Sequence, residues 1–344
     1  MPVRFRHIAT ALCGAILSVA QAHAADPTGN GGPAYGPELQ GFDYPWPVGQ
    51  FTFPSQRQTL TMAYLDVPAT HPNGQVAVLL HGKNFCAATW EETIRFLTAH
   101  GYRVIAPDQI GFCKSSKPQA YQFSFQQLAR NTHDLLVHLG TSKVVMIGHS
   151  TGGMLAIRYA LMYPQDLAHL VLVDPIGLED WQQKGVPYRT VDEWYASERG
   201  KTAVQIRAYE KRVYYANEWR PDYEKWAQML AGMYRGEGRD RVAWNSALLY
   251  DMIFTQPVVH NLHDLEVPTL LMIGDKDITA IGSDTAPPAI RATLGHYPQL
   301  GRTAAAAIPG AKLVEFPQLG HSPQMQDPAA FHAALLEGLG EPAP

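Results

Sequence analysis

The sequence predicts an α/β fold in which helices cover both faces of a mostly parallel sheet. Short apolar runs that end in glycine or a polar residue recur along the chain, as in strands that are buried on both faces. Helix-length stretches separate these runs, and two of them end at Gly101 and Gly140, because glycine commonly terminates helices. Alternation of this kind predicts right-handed crossovers between parallel strands.

Six apolar runs predict the strands of this sheet. In chain order they cover residues 76–82, 103–108, 143–149, 167–175, 268–277 and 312–321. Between them lie stretches with helical periodicity, of which 88–101 and 124–140 are the clearest. The alternation stops between residues 176 and 262, where five of the seven tryptophans occur and the pattern is helical with interleaved charges. We therefore expect residues 176–262 to form a helical insertion over the sheet.

The first residues of the chain have the pattern of a signal peptide. A basic start, a short apolar stretch and a small-x-small site that ends at Ala24 predict cleavage after residues 1–24. The apolar stretch is shorter than the roughly 20 residues that span a bilayer, so we expect export to the periplasm or the medium without stable membrane insertion. Residues 25–50 are rich in proline and glycine and predict an extended arm. The folded core is then expected over 51–175 and 263–340.

Composition argues against several classes of protein. Hydrophobic residues make up 46% of the 344 residues and charged residues 17%, which does not fit a disordered chain. The formal net charge is −4 and no basic stripe is present, so we expect no nucleic-acid partner. Cysteines without clustered histidines do not make a structural zinc site, and we expect neither a metal nor an organic cofactor.

A serine at the end of one predicted strand is the strongest candidate for chemistry. The segment "GHSTGG" (148–153) places Ser150 between a predicted strand and a predicted helix. The pattern Gly-x-Ser-x-Gly in that context is a nucleophile elbow, in which small residues permit a sharp turn and expose the serine. The alternative is a serine in an ordinary tight turn. We predict that Ser150 is a nucleophile.

Such a serine needs a base and an orienting carboxylate, which in this arrangement follow it in the chain. His321 lies in a loop just past the last predicted strand and is the expected base. Asp277, in the turn that follows the strand "PTLLMIG", is the preferred acid, since it lies between Ser150 and His321 in the sequence. Asp174, at the end of the strand "LVLVDP", is the alternative acid.

Two backbone N–H groups are expected to hold the negative oxygen that forms when a serine attacks a carbonyl. One belongs to Thr151, directly after the nucleophile, and the other to Lys83 in "LLHGKNF", with Asn84 as the alternative. We expect Asn84 and Trp181 to contact substrate, because clefts of this kind are lined by aromatic and polar side chains. Most aromatic residues of the insertion are instead expected to pack its helices.

Together these motifs resemble the α/β-hydrolase family. The segments "HGKNF", "APDQIGFCKSSKP", "GHSTGG", "PTLLMIGDKD" and "LGHSPQMQDPAAF" follow the family's order over about residues 51–339. The resemblance implies a mostly parallel eight-stranded sheet with a helical cap after strand 6. It also implies a catalytic triad of Ser150, Asp277 and His321, with Lys83 and Thr151 forming the oxyanion hole.

The resemblance implies a serine hydrolase that cleaves a small-molecule carboxylic ester through an acyl-enzyme. Relatives that open epoxides or remove halogens carry aspartate where this chain has Ser150, and proline iminopeptidases carry "HGGPG" where it has "HGKNF". A lactonase or amidase with the same triad, a haloperoxidase-like perhydrolase side activity, and a slow-turnover ligand-binding protein remain open. The physiological substrate and the oligomeric state are also open.

Two cysteines remain after the predicted cleavage, because Cys13 leaves with the signal peptide. An even pair in an oxidising compartment commonly forms a disulfide, although Cys86 and Cys113 could equally be free and buried. In the fold that the resemblance implies, the two strands that precede them are neighbours. We therefore expect a Cys86–Cys113 disulfide that braces the oxyanion loop.

Overall fold

The computed structural model of the protein describes residues 1–3 and 29–340. The predicted signal peptide, residues 1–24, lies outside the described residues apart from the first three. No helix among the described residues is both long enough and apolar enough to cross a membrane.

A single eight-stranded sheet runs through the described part of the chain. Its strands are β1 (Val48–Ser55), β2 (Gln58–Val67), β3 (Val76–Leu80), β4 (Arg103–Pro107), β5 (Val144–His149), β6 (Leu167–Val173), β7 (Thr269–Gly274) and β8 (Lys312–Phe316). The spatial order is β1-β2-β4-β3-β5-β6-β7-β8. Strand β2 pairs antiparallel with β1 and with β4, and the other pairings are parallel. The predicted α/β fold with a mostly parallel eight-stranded sheet is confirmed.

Each of the six apolar runs identified in the sequence contains one of the strands β3 to β8. The first two strands form the antiparallel edge, and β1 begins at Val48, inside the stretch 25–50 that was expected to be an irregular arm. Val48 pairs with Leu65 of β2, so the ladder extends further toward the N-terminus than the proline and glycine content indicates.

Helices follow the strands in the alternating order that the sequence predicts. They are α1 (Glu91–Ala99), α2 (Phe125–His138), α3 (Thr151–Met162), α4 (Val191–Arg199), α5 (Ala203–Val213), α6 (Glu224–Arg235), α7 (Arg239–Thr255), α8 (Pro288–Arg291), α9 (Tyr297–Ala307), α10 (Pro323–Gln326) and α11 (Pro328–Leu339). Ser124 caps α2 by accepting a hydrogen bond from the backbone N–H of Gln127, and Asp327 caps α11 in the same way.

Four of these helices, α4 to α7, lie between β6 and β7 in the chain. Reciprocal hydrogen bonds between side chain and backbone start two of them, with Thr190 and Glu193 at α4 and Thr202 and Gln205 at α5. We call residues 176–262 the cap segment. Within it the structure describes helices and turns and no strand, as the pattern predicts.

Burial on both faces explains the near-continuous apolar runs. Every residue of β5 and of β7 is buried. Successive residues of β3 point to opposite sides, so that Val78 and Leu80 join one hydrophobic cluster while Ala77 and Leu79 join another. Because β5 to β8 are parallel, their carboxyl ends meet at one edge of the sheet, where a site can be assembled from several loops.

Candidate active site

Ser150 occupies a sharp turn between β5 and α3. Its backbone has φ 57° and ψ −119°, a conformation that few residues other than glycine adopt. The glycines on either side leave no room for a side chain: a Cβ at position 148 would overlap the Gly152 carbonyl, and a Cβ at 152 would overlap the Leu80 carbonyl. The strained turn therefore depends on both glycines and presents the serine at the carboxyl edge of the sheet.

A chain of hydrogen bonds joins Ser150 to His321 and Asp277, which the sequence predicts as base and acid. His321 Nε2 lies 2.8 Å from Ser150 Oγ, and His321 Nδ1 lies 2.5 Å from Asp277 Oδ2. All three residues are at most 4% exposed. The other Asp277 oxygen accepts hydrogen bonds from the Thr279 backbone N–H at 2.8 Å and from the Thr279 hydroxyl at 2.6 Å. The carboxylate is thus fixed on both oxygens and holds the imidazole in one orientation.

His149, next to Ser150, supports the loop that carries His321. Its Nε2 lies 2.6 Å from the His321 carbonyl oxygen. Burial, followed by the neighbouring His321, lowers the pKa of His149 well below its usual value, so the ring is neutral and donates this hydrogen bond. The structure gives His149 no hydrogen bond to Ser150, and its Nε2 is engaged by the His321 carbonyl instead.

Asp174, which the sequence left as the alternative acid, lies close to Asp277 and His321 and makes no hydrogen bond to His321. Its Oδ1 accepts the Gly274 backbone N–H at 2.9 Å, and its Oδ2 has no hydrogen-bond partner among the described residues. Burial, and then the nearby Asp277 carboxylate, raise the pKa of Asp174 well above its usual range. The raised pKa of Asp174 has a simple cause, because two buried carboxylates this close cannot both ionise cheaply.

Lys83 and Thr151, the residues whose backbone N–H groups were predicted to hold the oxyanion, line a small cavity over Ser150. Neither N–H has a hydrogen-bond acceptor among the described residues. The cavity, of about 10 Å³, is also lined by Asn84 and Tyr214. The Asn84 side-chain amide donates to the Tyr214 hydroxyl at 2.9 Å, so Asn84 borders the space where a substrate carbonyl would lie. Two free donors beside a serine can hold an oxyanion.

Known proteins share both this fold and this sequence pattern. The model of the alpha/beta hydrolase family matches residues 77–334. The chain belongs to this family. Among solved structures, a probable hydrolytic enzyme from Pseudomonas aeruginosa is 62% identical, with a TM-score of 0.89 over 89% of this chain and 98% of that one.

Two curated relatives of this alpha/beta hydrolase are lipases. Lipase 1 from Psychrobacter immobilis is 28% identical over 64% of this chain and 69% of its own length. Lipase 3 from a Moraxella strain is 26% identical over 70% of each. An esterase from Exiguobacterium antarcticum shares the fold, with a TM-score of 0.66 at 20% identity. Together with the family these relatives make the protein a hydrolase with a general relation to ester-cleaving enzymes.

A larger cleft opens next to the cavity over Ser150 in this alpha/beta hydrolase. It has a volume of about 310 Å³ and shares Asn84, Tyr209, Tyr250 and Ile281 with the smaller cavity. Tyr209 and Tyr250 belong to cap helices, and the sequence analysis named neither as a contact. Their positions depend on how α5 and α7 pack over the sheet, which the local sequence does not reveal.

The side chain of Lys83 has a role that the sequence did not indicate. Its Nζ donates to Ser246 Oγ at 2.6 Å, lies 3.7 Å from Glu198 Oε2 and lies 3.5 Å from the centre of the Tyr250 ring. Burial lowers the pKa of Lys83 to about 7, although Glu198 acts in the opposite direction. The lysine thus ties the oxyanion loop to helices α4 and α7 of the cap segment.

Trp181 does not lie where a substrate contact was expected. It is 2% exposed, belongs to the hydrophobic core, and its Nε1 donates to Glu179 Oε1 at 3.1 Å. It lines neither the cavity over Ser150 nor the adjoining cleft. The aromatic character of the cap segment indicated a contact, but this indole is used for packing, as large aromatic side chains often are.

Cys86 and Cys113 are joined as a disulfide with their Cα atoms 5.9 Å apart. Between them lies Asp108, whose Oδ1 accepts the Ala87 backbone N–H at 2.8 Å and whose Oδ2 accepts the Lys114 backbone N–H at 3.0 Å. The loop after β3, which carries the predicted oxyanion donor, is therefore tied to the loop after β4 by one covalent bond and by one buried carboxylate.

Two groups of side chains in the described ranges have the number of donors that a metal needs. One is Cys86, Asp108 and Cys113, and the other is Asp174, Asp277 and His321. In the first group the sulfurs are bonded to each other and offer no thiolate. In the second, both nitrogens of His321 are engaged in hydrogen bonds. Neither group offers a free set of ligands.

Proposed function

We propose that this alpha/beta hydrolase cleaves a carboxylic ester through an acyl-enzyme on Ser150. The observation that supports this most strongly is the hydrogen-bonded chain Ser150–His321–Asp277 beside two unpaired backbone donors. A serine is a weak nucleophile alone, and this chain supplies the base and the orienting acid that it needs.

In the proposed reaction, His321 Nε2 removes the Ser150 proton as the serine oxygen attacks the acyl carbon. The Lys83 and Thr151 N–H groups stabilise the resulting oxyanion, and such donors contribute about 3 to 4 kcal/mol each. The imidazolium, stabilised by Asp277, then passes the proton to the leaving alcohol. Water attacks the acyl-enzyme with His321 again as base and releases the acid.

We also propose that residues 176–262 act as a cap that shapes the substrate site. Tyr209, Tyr214 and Tyr250 of this segment line the cavity over Ser150, so access to the serine depends on how the cap helices are placed. The similarity to two lipases favours ester substrates, and lactones and amides would use the same triad. A substrate panel separates these activities.

Export is part of the proposal. The basic and apolar pattern of residues 1–24 favours a cleaved signal peptide. The Cys86–Cys113 pair fits the same interpretation, because disulfides persist mainly in oxidising compartments. We propose that the mature protein begins at Ala25 and acts in the periplasm or outside the cell.

The decisive kinetic test compares wild type with two serine variants on 4-nitrophenyl esters of increasing chain length. Ser150→Ala should lower kcat by about 10⁴-fold or more, since serine and histidine act as a unit. Ser142→Ala is the matched control, because Ser142 is exposed and lies just before the opposite end of the same strand. Equal rates for wild type and Ser150→Ala would contradict the proposal. Parallel assays with lactones and anilides identify the preferred bond.

A further inference from the structure

We propose that the cleft beside Ser150 binds the carboxylate, or an equivalent anionic group, of a negatively charged ester substrate. This inference rests on the proposed function, because it concerns what the same site accepts. It follows from the charges that line the cleft and from the four residues that the cleft shares with the cavity over the serine.

The cleft adjoins the cavity where the scissile bond would lie. Its volume of about 310 Å³ is far larger than the 10 Å³ over Ser150, and the two spaces share Asn84, Tyr209, Tyr250 and Ile281. We place the part of the substrate that the small cavity cannot hold in this adjoining cleft. Groups that line the cleft can then select substrates.

More cations than carboxylates line this cleft. Arg189, Lys201 and Arg212 border it, against Glu198 and Asp284. Lys201 pairs with Glu198 at 2.6 Å, and Arg189 lies 3.5 Å from Asp284. The remaining guanidinium, that of Arg212, forms no ion pair with any carboxylate in the described part of the chain. One positive charge at the cleft is left for a ligand.

The Glu198 carboxylate cannot pair with a further cation of the cleft. Its two oxygens already accept from Lys201 at 2.6 Å, from Tyr234 Oη at 2.6 Å and from Ser246 Oγ at 2.5 Å. The Lys83 amine also lies 3.7 Å from Glu198, so this carboxylate has no capacity left for Arg212. An anionic ligand in the cleft would supply the negative charge that Arg212 lacks.

Partial burial makes these charges effective. The Lys201 side chain, which lines the cleft, is only 22% exposed, so solvent screens its charge less than it screens that of a surface lysine. Clefts lined by an excess of one charge concentrate ligands of the opposite charge. The Asp284 side chain is 71% exposed and Arg212 is also exposed, so both of these charges lie on the solvent side of the cleft.

The test uses two pairs of esters that differ only in one carboxylate. Mono-4-nitrophenyl glutarate and 4-nitrophenyl valerate differ at the end of the acyl chain, and 4-carboxyphenyl acetate and phenyl acetate differ in the alcohol. In at least one of the two pairs, the wild-type kcat/KM for the ester that carries the carboxylate should exceed that for the neutral ester by about tenfold or more. Raising salt from about 0.05 M to about 0.5 M should reduce this preference.

Variants assign the preference to the cleft. Arg212→Gln should lower the anionic-to-neutral ratio of kcat/KM about threefold or more, and Lys201→Gln about tenfold or more. Lys201→Gln disrupts a buried ion pair and can impair folding. Arg212 is exposed and unpaired, so Arg212→Gln should fold and tests the proposal even if Lys201→Gln does not fold. Lys225→Gln, on exposed residue 225 of α6 away from this cleft, is the control and should leave the ratio unchanged.

The outcomes separate this inference from the proposed function. If wild type cleaves the neutral esters without preferring either carboxylate ester, the inference is wrong and the proposed function stands. A preference that Arg212→Gln and any folded Lys201→Gln both retain also overturns it. If no ester is cleaved, the proposed function fails, and calorimetry with glutarate decides the inference. Binding to wild type that Arg212→Gln weakens supports an anion site, and no binding overturns it.

Discussion

At the scale of single residues, the positions of two aspartates decide the proposed chemistry. Asp277 Oδ2 lies 2.5 Å from His321 Nδ1, whereas Asp174 contacts the Gly274 N–H and has one oxygen without a partner. Burial and the Asp277 charge raise the pKa of Asp174. A neutral Asp174 can stand beside the triad without competing for the imidazole proton.

Substituting each aspartate by asparagine distinguishes these roles. Asp277→Asn should lower kcat by about 10⁴-fold, because the amide cannot stabilise the imidazolium and favours the wrong tautomer. Asp174→Asn resembles the neutral acid already present and should change kcat less than about tenfold. Steady-state kinetics on one 4-nitrophenyl ester measure both effects. The opposite ranking would assign the orienting role to Asp174.

The buried carboxyl group of Glu210 should make the free energy of unfolding depend on pH. Glu210 in α5 is fully buried, and neither of its carboxylate oxygens has a partner in the described ranges. Burial raises the pKa of Glu210 from 4.5 to about 8, with Glu224 adding to this and Lys201 and Arg207 opposing it. The pKa of Glu210 is higher in the folded than in the unfolded chain. Its contribution to the free energy of unfolding is therefore fully present below pH 4.5 and is lost as the pH rises to about 8.

Glu210→Gln should remove this pH dependence, since the amide stays neutral. The free energy of unfolding of the variant relative to wild type should increase by about 2 kcal/mol or more between pH 4.5 and pH 8. Denaturant unfolding at several pH values measures the difference. Glu237→Gln, at an exposed carboxylate that follows α6, is the control and should behave as wild type. A constant difference across this range would show that Glu210 ionises normally.

At the scale of elements, the loops after β3 and β4 form one braced unit. The disulfide joins Cys86 to Cys113, and Asp108 accepts hydrogen bonds from backbone groups in both loops. Tyr44 of the N-terminal arm adds a hydrogen bond of 2.7 Å to the same carboxylate. The Lys83 N–H precedes this unit by a few residues, so the geometry of the predicted oxyanion hole depends on it.

A count of reactive thiols tests the Cys86–Cys113 disulfide. The mature chain, unfolded without reductant, should show no reactive thiol, and two reactive thiols would contradict the disulfide. The double variant Cys86→Ser, Cys113→Ser should lose about 3 to 4 kcal/mol of unfolding free energy, the expected effect of opening a loop of this length. Its kcat/KM should also fall at temperatures where it remains folded, since the oxyanion loop is less restrained.

At the scale of the whole molecule, the fold followed from the sequence more fully than the site did. Alternation of buried runs and helical stretches depends on local pattern, and it predicted the sheet and the helical cap segment. The residues Ser150, Asp277 and His321 could be selected because each follows a strand, and parallel strands end at the same edge. The structure brings these three together, and their catalytic roles stay a prediction.

Contacts between distant segments could not be predicted in the same way. Lys83 and Glu198 are 115 positions apart in the sequence and lie in contact in the structure. Trp181 packs in the hydrophobic core and does not line the cleft. The irregular N-terminal arm also packs against the rest of the protein, since Leu39 is fully buried and the Tyr35 backbone N–H donates to the Gly232 carbonyl at 2.9 Å. Such contacts depend on how the helices pack, which no local motif encodes.

The most direct test of the central claim is covalent labelling of the native mature protein with a fluorophosphonate, followed by peptide mass spectrometry. We predict one adduct per chain, on Ser150, with loss of ester hydrolysis in proportion to labelling. Ser150→Ala should remain unlabelled, and Ser142→Ala should label as wild type does. An unlabelled wild type, or an adduct that persists in Ser150→Ala, would contradict the account.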